Sequence, residues 1–381
     1  MVYDSLYVFI VVLIMIGILL YDIGHKKNQK IYFFFVYLFL VLVAELRYGV
    51  SPDTMNYMTA YDNIPKLQNI TLADFLRFRF DILYTLVNSV AKTIYDSFLL
   101  VQIIHGLLLY IPLYKLLKYL KIDNFYVLLF FYLQFYFTFG MGEMRQSIAA
   151  GVLFFAIPYL IRKEYLKYYV LAIIAFLFHA SAAIAFLFPL FYVVKEVKVK
   201  TLFIVLIVLP FAFPVIVSFF SHIAGLVGGS LASYSGRYEN SLKFTFDLLN
   251  YGKNLILFVL MFGLSNTKRK LSTIEWMGFL YLFFDVGAEN IPIFFRFKDY
   301  LFPFFLYIFC RFIENNKIKR VIFLPMFSIL LFFYQPIAVH LAMFYGDYSF
   351  TFTPYASYLS DENHFLYDRY KVPFVSDYMN W

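Results

Sequence analysis

The chain has 381 residues, of which 62% are hydrophobic and 15% are charged, and its mean hydropathy is +0.73. Soluble domains are closer to half apolar and a quarter charged, so this composition excludes an ordinary soluble globular protein. The net charge of +8 lies mainly in short loops between apolar runs, which indicates membrane topology and not nucleic-acid binding. The single cysteine, Cys310, excludes an internal disulfide, and without Cys/His ligand spacing no metal site is predicted.

Apolar runs of about 18 residues recur from end to end, which predicts an all-α polytopic membrane protein. The whole chain, 1–381, is then a single integral membrane domain. The basic loop 25–30 is assigned to the cytoplasm, so the N-terminus faces outside. About ten full spans are predicted, at 3–21, 31–48, 97–117, 125–139, 145–161, 201–220, 246–264, 274–286, 293–312 and 321–339.

Two long segments outside these spans are assigned to the external side. Residues 49–96 form a predicted external loop with an interfacial or re-entrant helix at 81–95, which is too short and too polar to span comfortably. The polar, Tyr-rich tail 340–381 is also external. If 81–95 spans instead, the later orientations reverse, and that alternative stays open. Pro210 and Pro214 predict a kink in the sixth full span.

The apolar stretch 168–194 is ambiguous, because basic residues flank both of its ends. Two short half-membrane helices that meet near His179 keep both ends in the cytoplasm, as the positive-inside rule prefers. Broken helices of this kind are tolerated where they line a cavity. A single straight helix is the alternative, and it would place His179 at the membrane midplane.

Ionisable groups that intrude into apolar runs collect on the predicted external side, so a chemical site in this protein would open outward. Arg145 and Gln146 begin the fifth span. A guanidinium matches phosphate oxygens, and the free N–H groups at a helix N-terminus attract anions. Arg145 is therefore the leading phosphate candidate, and the alternatives are an ion pair with Glu143 or snorkelling to the interface.

Five short motifs follow one another over nearly the whole chain: Arg47-Tyr-Gly-Val-Ser-Pro-Asp53-Thr-x-x-Tyr57, Met-Arg145-Gln146-x-Ile-Ala, Phe-His179-x-Ser181-Ala, Arg296 in a late aromatic run, and Thr353-Pro354-Tyr355. In their residues and their order, these motifs resemble those of the EpsG-type and Wzy-type polysaccharide polymerases. The chain departs from the family at Ser51, where the family often has glycine.

The resemblance implies a membrane glycosyltransferase of O-antigen, capsule or exopolysaccharide synthesis, on the external face of the bacterial plasma (inner) membrane. Such an enzyme transfers a growing glycan from its polyprenyl diphosphate to a sugar hydroxyl of the next lipid-linked repeat unit. No cofactor and no metal are expected, and a GT-C-like fold is one option. The implied partners are the lipid-linked donor and acceptor, membrane lipid and, as an open option, a chain-length regulator protein.

This reaction needs cations for the departing diphosphate and a base for the acceptor hydroxyl. The catalytic candidates are the base His179, the cations Arg145 and Arg296, and Asp53 as a base or a sugar-positioning group. The predicted substrate-binding residues are Arg47, Gln146, Arg237, Tyr238, Glu289 and Tyr57.

Structural alternatives remain open for most of these residues. His179 is a helix-packing residue in the simpler interpretation. Arg47 pairs locally with Glu45, Arg296 pairs with Asp299, and Asp53 caps a turn. Asp285 and Glu289 balance the late arginines, whereas His105 and His222 are interpreted as structural.

Two other functions compete with polymerisation. A transporter or lipid-linked oligosaccharide flippase shares the many spans, but would show internal repeats and charges along the whole crossing. A membrane glycan ligase uses nearly the same chemistry with a different acceptor. The external position of the charges favours an enzyme, and the ordered motifs favour a polymerase.

Overall fold

The computed structural model describes residues 5–77, 81–193, 198–209, 211–212, 248–262, 271–288, 291, 293–315 and 355–360. The chain folds into two compact units: the first unit comprises Met1–Ala180 and Ile313–Trp381, and the second unit comprises Ser181–Phe312. Three predictions lie outside the described residues: the tenth span at 321–339, the kink at Pro210 and Pro214, and most of the tail.

Helices make up the regular structure of the first unit. Four of them, α1, α6, α7 and α8, are long and apolar enough to cross a membrane. The prediction of an all-α polytopic membrane protein is confirmed, and strands are absent from the described residues. The helices are α1 (Ser5–Ile23), α2 (Gln29–Glu45), α3 (Pro52–Asn63), α4 (Leu72–Arg77), α5 (Ile82–Ile94), α6 (Phe98–Tyr119), α7 (Phe125–Gly142), α8 (Met144–Ile161) and α9 (Tyr165–Phe178).

The remaining described helices follow α9 in the chain. A 3-10 helix, Ala180–Leu187, leads directly into the next α-helix. The α-helices are α10 (Phe188–Val193), α11 (Val199–Leu209), α12 (Leu248–Phe262), α13 (Thr273–Gly287), α14 (Ile293–Asp299) and α15 (Phe302–Asn315).

The segment 168–194 is broken at the residue where the sequence predicts a break. Helix α9 ends at Phe178, and His179 is extended, with φ −159° and ψ 124°, before the 3-10 helix begins. The alternative of one straight helix is therefore wrong. That both ends of the segment face the cytoplasm stays a prediction.

The ninth predicted span, 293–312, is broken into two helices, and its crossing of the membrane stays a prediction. Helix α14 ends at Asp299 and α15 begins at Phe302. Pro303 explains the break, because it has no N–H to donate to the preceding turn. Proline is readily accommodated in the first turn of the helix that follows.

The predicted external loop 49–96 is mostly helical. It contains α3, α4 and α5, and α5 confirms a helix at 81–95. One face of α5 is buried and includes the polar residues Thr85, Asn88 and Ser89, while Ile82 and Ile94 are exposed. Helix α5 packs against α6 and α9 through the buried face. Its position at the membrane interface stays a prediction.

Helices α6 and α8 approach each other closely in the core of the first unit. A Cβ atom at Gly151 would overlap the carbonyl oxygen of Leu108, so only glycine permits this packing. His105, three residues before Leu108, contacts Ser147, four residues before Gly151. Both contacts advance in the same chain direction, so α6 and α8 run parallel, and the beginning of α8 lies against the middle of α6.

Ser51, the residue directly before α3, has a backbone conformation that favours glycine. Its φ is 85°, it is 2% exposed, and its hydroxyl has no hydrogen-bond partner among the described residues. We expect Ser51→Gly to raise the free energy of unfolding by about 1 kcal/mol, because it relieves backbone strain and removes an unpaired buried hydroxyl. Thermal unfolding of the detergent-purified protein measures this change.

Ser97→Gly is the matched control for this prediction. Ser97 is extended, with φ −148°, and its hydroxyl accepts a hydrogen bond from the backbone N–H of Leu99. Glycine at this helix cap should give no gain or a small loss. If Ser51→Gly and Ser97→Gly stabilised the protein equally, or if Ser51→Gly gave no stabilisation, the backbone at Ser51 would not be strained.

Candidate functional site

Arg145 lies in the first turn of α8 and forms the centre of the candidate site. Its guanidinium carbon is 6.0 Å from the centre of the Tyr57 ring, and its Nη1 is 3.5 Å from Asp81 Oδ2. The Arg145 side chain is 23% exposed, so it is held by neighbours and still open on one side. Asp81, which precedes α5, is an ion-pair partner that the sequence did not indicate.

Tyr57 is the buried aromatic face beneath this cation. Burial raises the pKa of Tyr57 to about 12, against the lowering effect of Arg145, and the field of Asp53 raises it further. The phenol therefore stays neutral at ordinary pH and offers both a donor and an acceptor. Tyr84 of α5 lies behind it, with ring centres 5.5 Å apart.

Asp53 is an exposed residue in the first turn of α3. It precedes Tyr57 by one helical turn, so both lie on one face of the helix. Its carboxylate is close enough to act on the Tyr57 phenol electrostatically. The N-terminal parts of three helices, α3, α5 and α8, thus bring together the side chains of Asp53, Tyr57, Asp81 and Arg145.

His179 returns to the same end of the first unit as Arg145. Helices α8 and α9 pack as an antiparallel hairpin joined by a short turn. At 1.5 Å per residue, Arg145 lies about 24 Å and Phe178 about 20 Å from that turn. His179 is 7% exposed at the end of α9. Because α9 also packs against α5, His179, Arg145 and Asp81 belong to one end of a three-helix group.

Arg47 and Gln146 are buried at this end of the unit. Arg47 is fully buried, lies 3.8 Å from Glu45, and hydrogen-bonds to Thr54 and to the carbonyl of Ala44. The local pair with Glu45, left open by the sequence, is therefore present. Gln146 is also buried. Direct contact of either residue with a substrate stays a prediction.

Glu45, His105 and Ser147 form a buried chain of hydrogen bonds that the sequence analysis missed. His105 Nδ1 is 2.9 Å from Glu45 Oε1, and His105 Nε2 is 2.7 Å from Ser147 Oγ. All three residues are buried. The sequence could have predicted this pair, because Glu45 and His105 both lie in apolar helices, where ionisable side chains usually pair.

The segment 355–360, which begins with the tyrosine of the C-terminal motif, contacts the first motif. The N–H of Tyr48 donates to Ala356 at 2.9 Å, and the N–H of Tyr358 donates to Leu46 at 2.9 Å. The Tyr355 hydroxyl donates to the carbonyl of Val43 at 2.8 Å. The segment 355–360 therefore covers the end of α2 beside Arg47.

A separate charged cluster lies in the second unit. Asp285 of α13 is 3.0 Å from Lys253 and 2.5 Å from Lys298, and it accepts a hydrogen bond from Asn254 at 2.8 Å. Asp285 is thus balanced by lysines, where the sequence analysis expected arginines. Arg296 is exposed on the short helix α14, and its catalytic role stays a prediction.

The other predicted site residues, Arg237, Tyr238 and Glu289, lie outside the described residues. In the part of the chain that the structure describes, no group of three or more His, Cys, Asp or Glu side chains is placed to hold a metal ion. Metal independence stays a prediction.

The fold and the site together define a polytopic membrane protein with an arginine-centred polar site at one end of its helices. A family model described as the EpsG family matches residues 30–357, and the chain therefore belongs to the EpsG family. The match covers every motif from Arg47 to Tyr355, and the family indicates a polysaccharide polymerase type of function. No curated protein and no solved structure matches the chain significantly.

Proposed function

We propose that this protein polymerises polyprenyl-diphosphate-linked oligosaccharide repeat units into a surface polysaccharide, on the external face of the bacterial plasma membrane. The observation that carries the proposal is the partly exposed Arg145 in the first turn of α8, at the end of the α8–α9 hairpin where His179 also lies. A cation and a base at one end of a membrane bundle match a reaction with a diphosphate leaving group and a hydroxyl nucleophile.

The proposed step is the transfer of a glycosyl group. A sugar hydroxyl of the lipid-linked acceptor attacks the anomeric carbon of the donor glycan, and a new glycosidic C–O bond forms. The C–O bond to the diphosphate breaks, and polyprenyl diphosphate leaves with the bonding electron pair. The hydroxyl proton passes to a base, for which we propose the imidazole of His179.

Arg145 is proposed to bind the departing diphosphate. Its guanidinium offers paired donors to phosphate oxygens, and the first turn of α8 adds the positive end of the helix dipole. Negative charge grows on the diphosphate as the bond breaks, so a preorganised cation stabilises the transition state more than the ground state.

Tyr57 and Asp53 are proposed to orient the sugars around this centre. The Tyr57 ring centre lies 6.0 Å from the Arg145 guanidinium carbon, so the ring contributes to holding the cation in place. Asp53 is exposed beside it, and a carboxylate there accepts hydrogen bonds from sugar hydroxyls. The competing negative charge of Asp81 partly balances Arg145, so binding of the diphosphate would replace this ion pair.

Deletion of the gene tests the proposal. A mutant lacking the polymerase should accumulate single lipid-linked repeat units, or display them as single units, and complementation should restore long polymer. A normal distribution of polymer lengths in the mutant would contradict the proposal. Full-length polymer retained on its lipid carrier would instead indicate a ligase, and repeat units confined to the inner leaflet would indicate a flippase.

A further inference from the structure

Residues 141–144 form the joint between α7 and α8. Met141 and Gly142 end the π-helical part of α7, and Met144 begins α8. Glu143, with φ −85° and ψ 59°, separates the two helices. Arg145 is the second residue of α8, so the geometry of this joint decides where its guanidinium points. Any group that fixes the joint therefore fixes the proposed diphosphate ligand.

A chain of five buried side chains begins and ends on the backbone of this joint. At one end, the Thr54 hydroxyl donates to the carbonyl of Met141 at 3.3 Å. At the other end, the Ser147 hydroxyl lies 3.0 Å from the carbonyl of Met144. Between these ends the chain runs through Arg47, Glu45 and His105, each within hydrogen-bond or ion-pair distance of the next.

His105 is the link that joins the two halves of this chain. Its Nδ1 donates to the Glu45 carboxylate, which only accepts, and its Nε2 faces Ser147. The Ser147 hydroxyl lies between the imidazole and the Met144 carbonyl, within hydrogen-bond distance of both. An amide side chain at position 105 would reach one neighbour and not both.

We propose that His105 is a positioning residue for Arg145, acting through Ser147 and the Met144 carbonyl. The inference rests on the proposed polymerase function and extends it to a residue that does not touch the substrate. All five residues are buried, so their hydrogen bonds are made in a low-dielectric interior, where networks are rigid. A displacement of about 1 Å at a catalytic group costs roughly 10²-fold in rate.

The test uses His105→Gln and Ser147→Ala in the full-length protein, reconstituted in vesicles with the lipid-linked repeat unit. Each variant should lower kcat by about 10- to 100-fold with a smaller change in KM, because Arg145 acts mainly on the transition state. Tyr37→Phe is the matched control. It also removes a buried hydrogen bond between α2 and α6, from the Tyr37 hydroxyl to the Tyr110 carbonyl, and this bond is not one of those in the five-residue chain.

A double-mutant cycle separates positioning from a general structural role. In an Arg145→Lys background, His105→Gln should add little further loss, because the group that it positions is already changed. If the fold-losses in kcat of Arg145→Lys and His105→Gln multiply in the double variant, the inference is wrong. A kcat of His105→Gln equal to that of Tyr37→Phe would also overturn it. Neither result would contradict the polymerase proposal. An inactive wild-type protein in the same vesicles would instead overturn the proposed function.

Discussion

Replacement of Arg145 by alanine is expected to lower the polymerisation rate by about 10²–10³-fold. The reason is that a preorganised donor to the growing charge of the leaving diphosphate is lost, and loss of one such donor has this magnitude. Arg145→Lys should keep part of the rate, because it retains the charge and loses the planar pair of donors. The rate is measured as polymer formed from a lipid-linked repeat unit by protein reconstituted in vesicles.

Arg162→Ala is the matched control for Arg145. Arg162 follows the opposite end of α8 and forms an exposed ion pair with Glu164 at 2.6 Å. Its loss removes the same positive charge from the protein but leaves the site intact, so the rate should change less than about twofold. Similar rates for Arg145→Ala and the wild type would show that the diphosphate is bound elsewhere.

Replacement of His179 by alanine or glutamine is expected to lower the rate by about 10²–10⁴-fold, the usual contribution of a general base. Glutamine is the informative substitution, because it keeps a polar side chain of similar size but cannot take the proton. Substrate binding should be little affected, so the loss should appear in kcat. Steady-state kinetics on the reconstituted protein, with equal amounts of each variant in the vesicles, measure this effect.

His25→Ala is the control for His179. His25 is exposed in the basic loop between α1 and α2, which the charge pattern assigns to the cytoplasm. Its loss should leave the rate unchanged. If His179→Gln retained the wild-type rate, His179 would be a helix-packing residue and the base would have to be another group.

The sequence predicts the described helices of this fold well where physical signals are strong. Apolar length places α1, α2, α6 and α8 within a few residues, because a membrane span has a required length. Flanking charge correctly predicts the break at His179. The sequence analysis does not predict the break within the ninth predicted span, 293–312. Hydropathy does not register that Pro303 cannot donate to the preceding turn.

The candidate site is only partly visible in the sequence. Arg145, Tyr57 and Asp53 are predicted individually from motifs, and the structure adds the contact that unites Arg145 with Tyr57 and Asp81. The contact comes from helix packing between segments far apart in the chain, which no local pattern encodes.

The buried hydrogen-bond chain through His105 is invisible to motif reasoning for a related reason. A lone histidine in an apolar helix carries no information about which residue faces it. Glu45 and Ser147 come from two other helices, and the close approach at Gly151 sets α6 and α8 in the register that joins His105 to Ser147. The three partners are thus specified by packing, and the sequence shows only that each polar group needs one.

Reconstitution of the purified protein tests the central claim most directly. Vesicles that contain the wild-type chain and a polyprenyl-diphosphate-linked repeat unit as the sole glycan should form a ladder of glycans two or more units long. One polyprenyl diphosphate should be released for each glycosidic bond formed, and Arg145→Ala should lower the rate at which both products form by about 10²–10³-fold. Movement of the intact lipid-linked unit across the bilayer, with no increase in glycan length and no released diphosphate, would contradict the account.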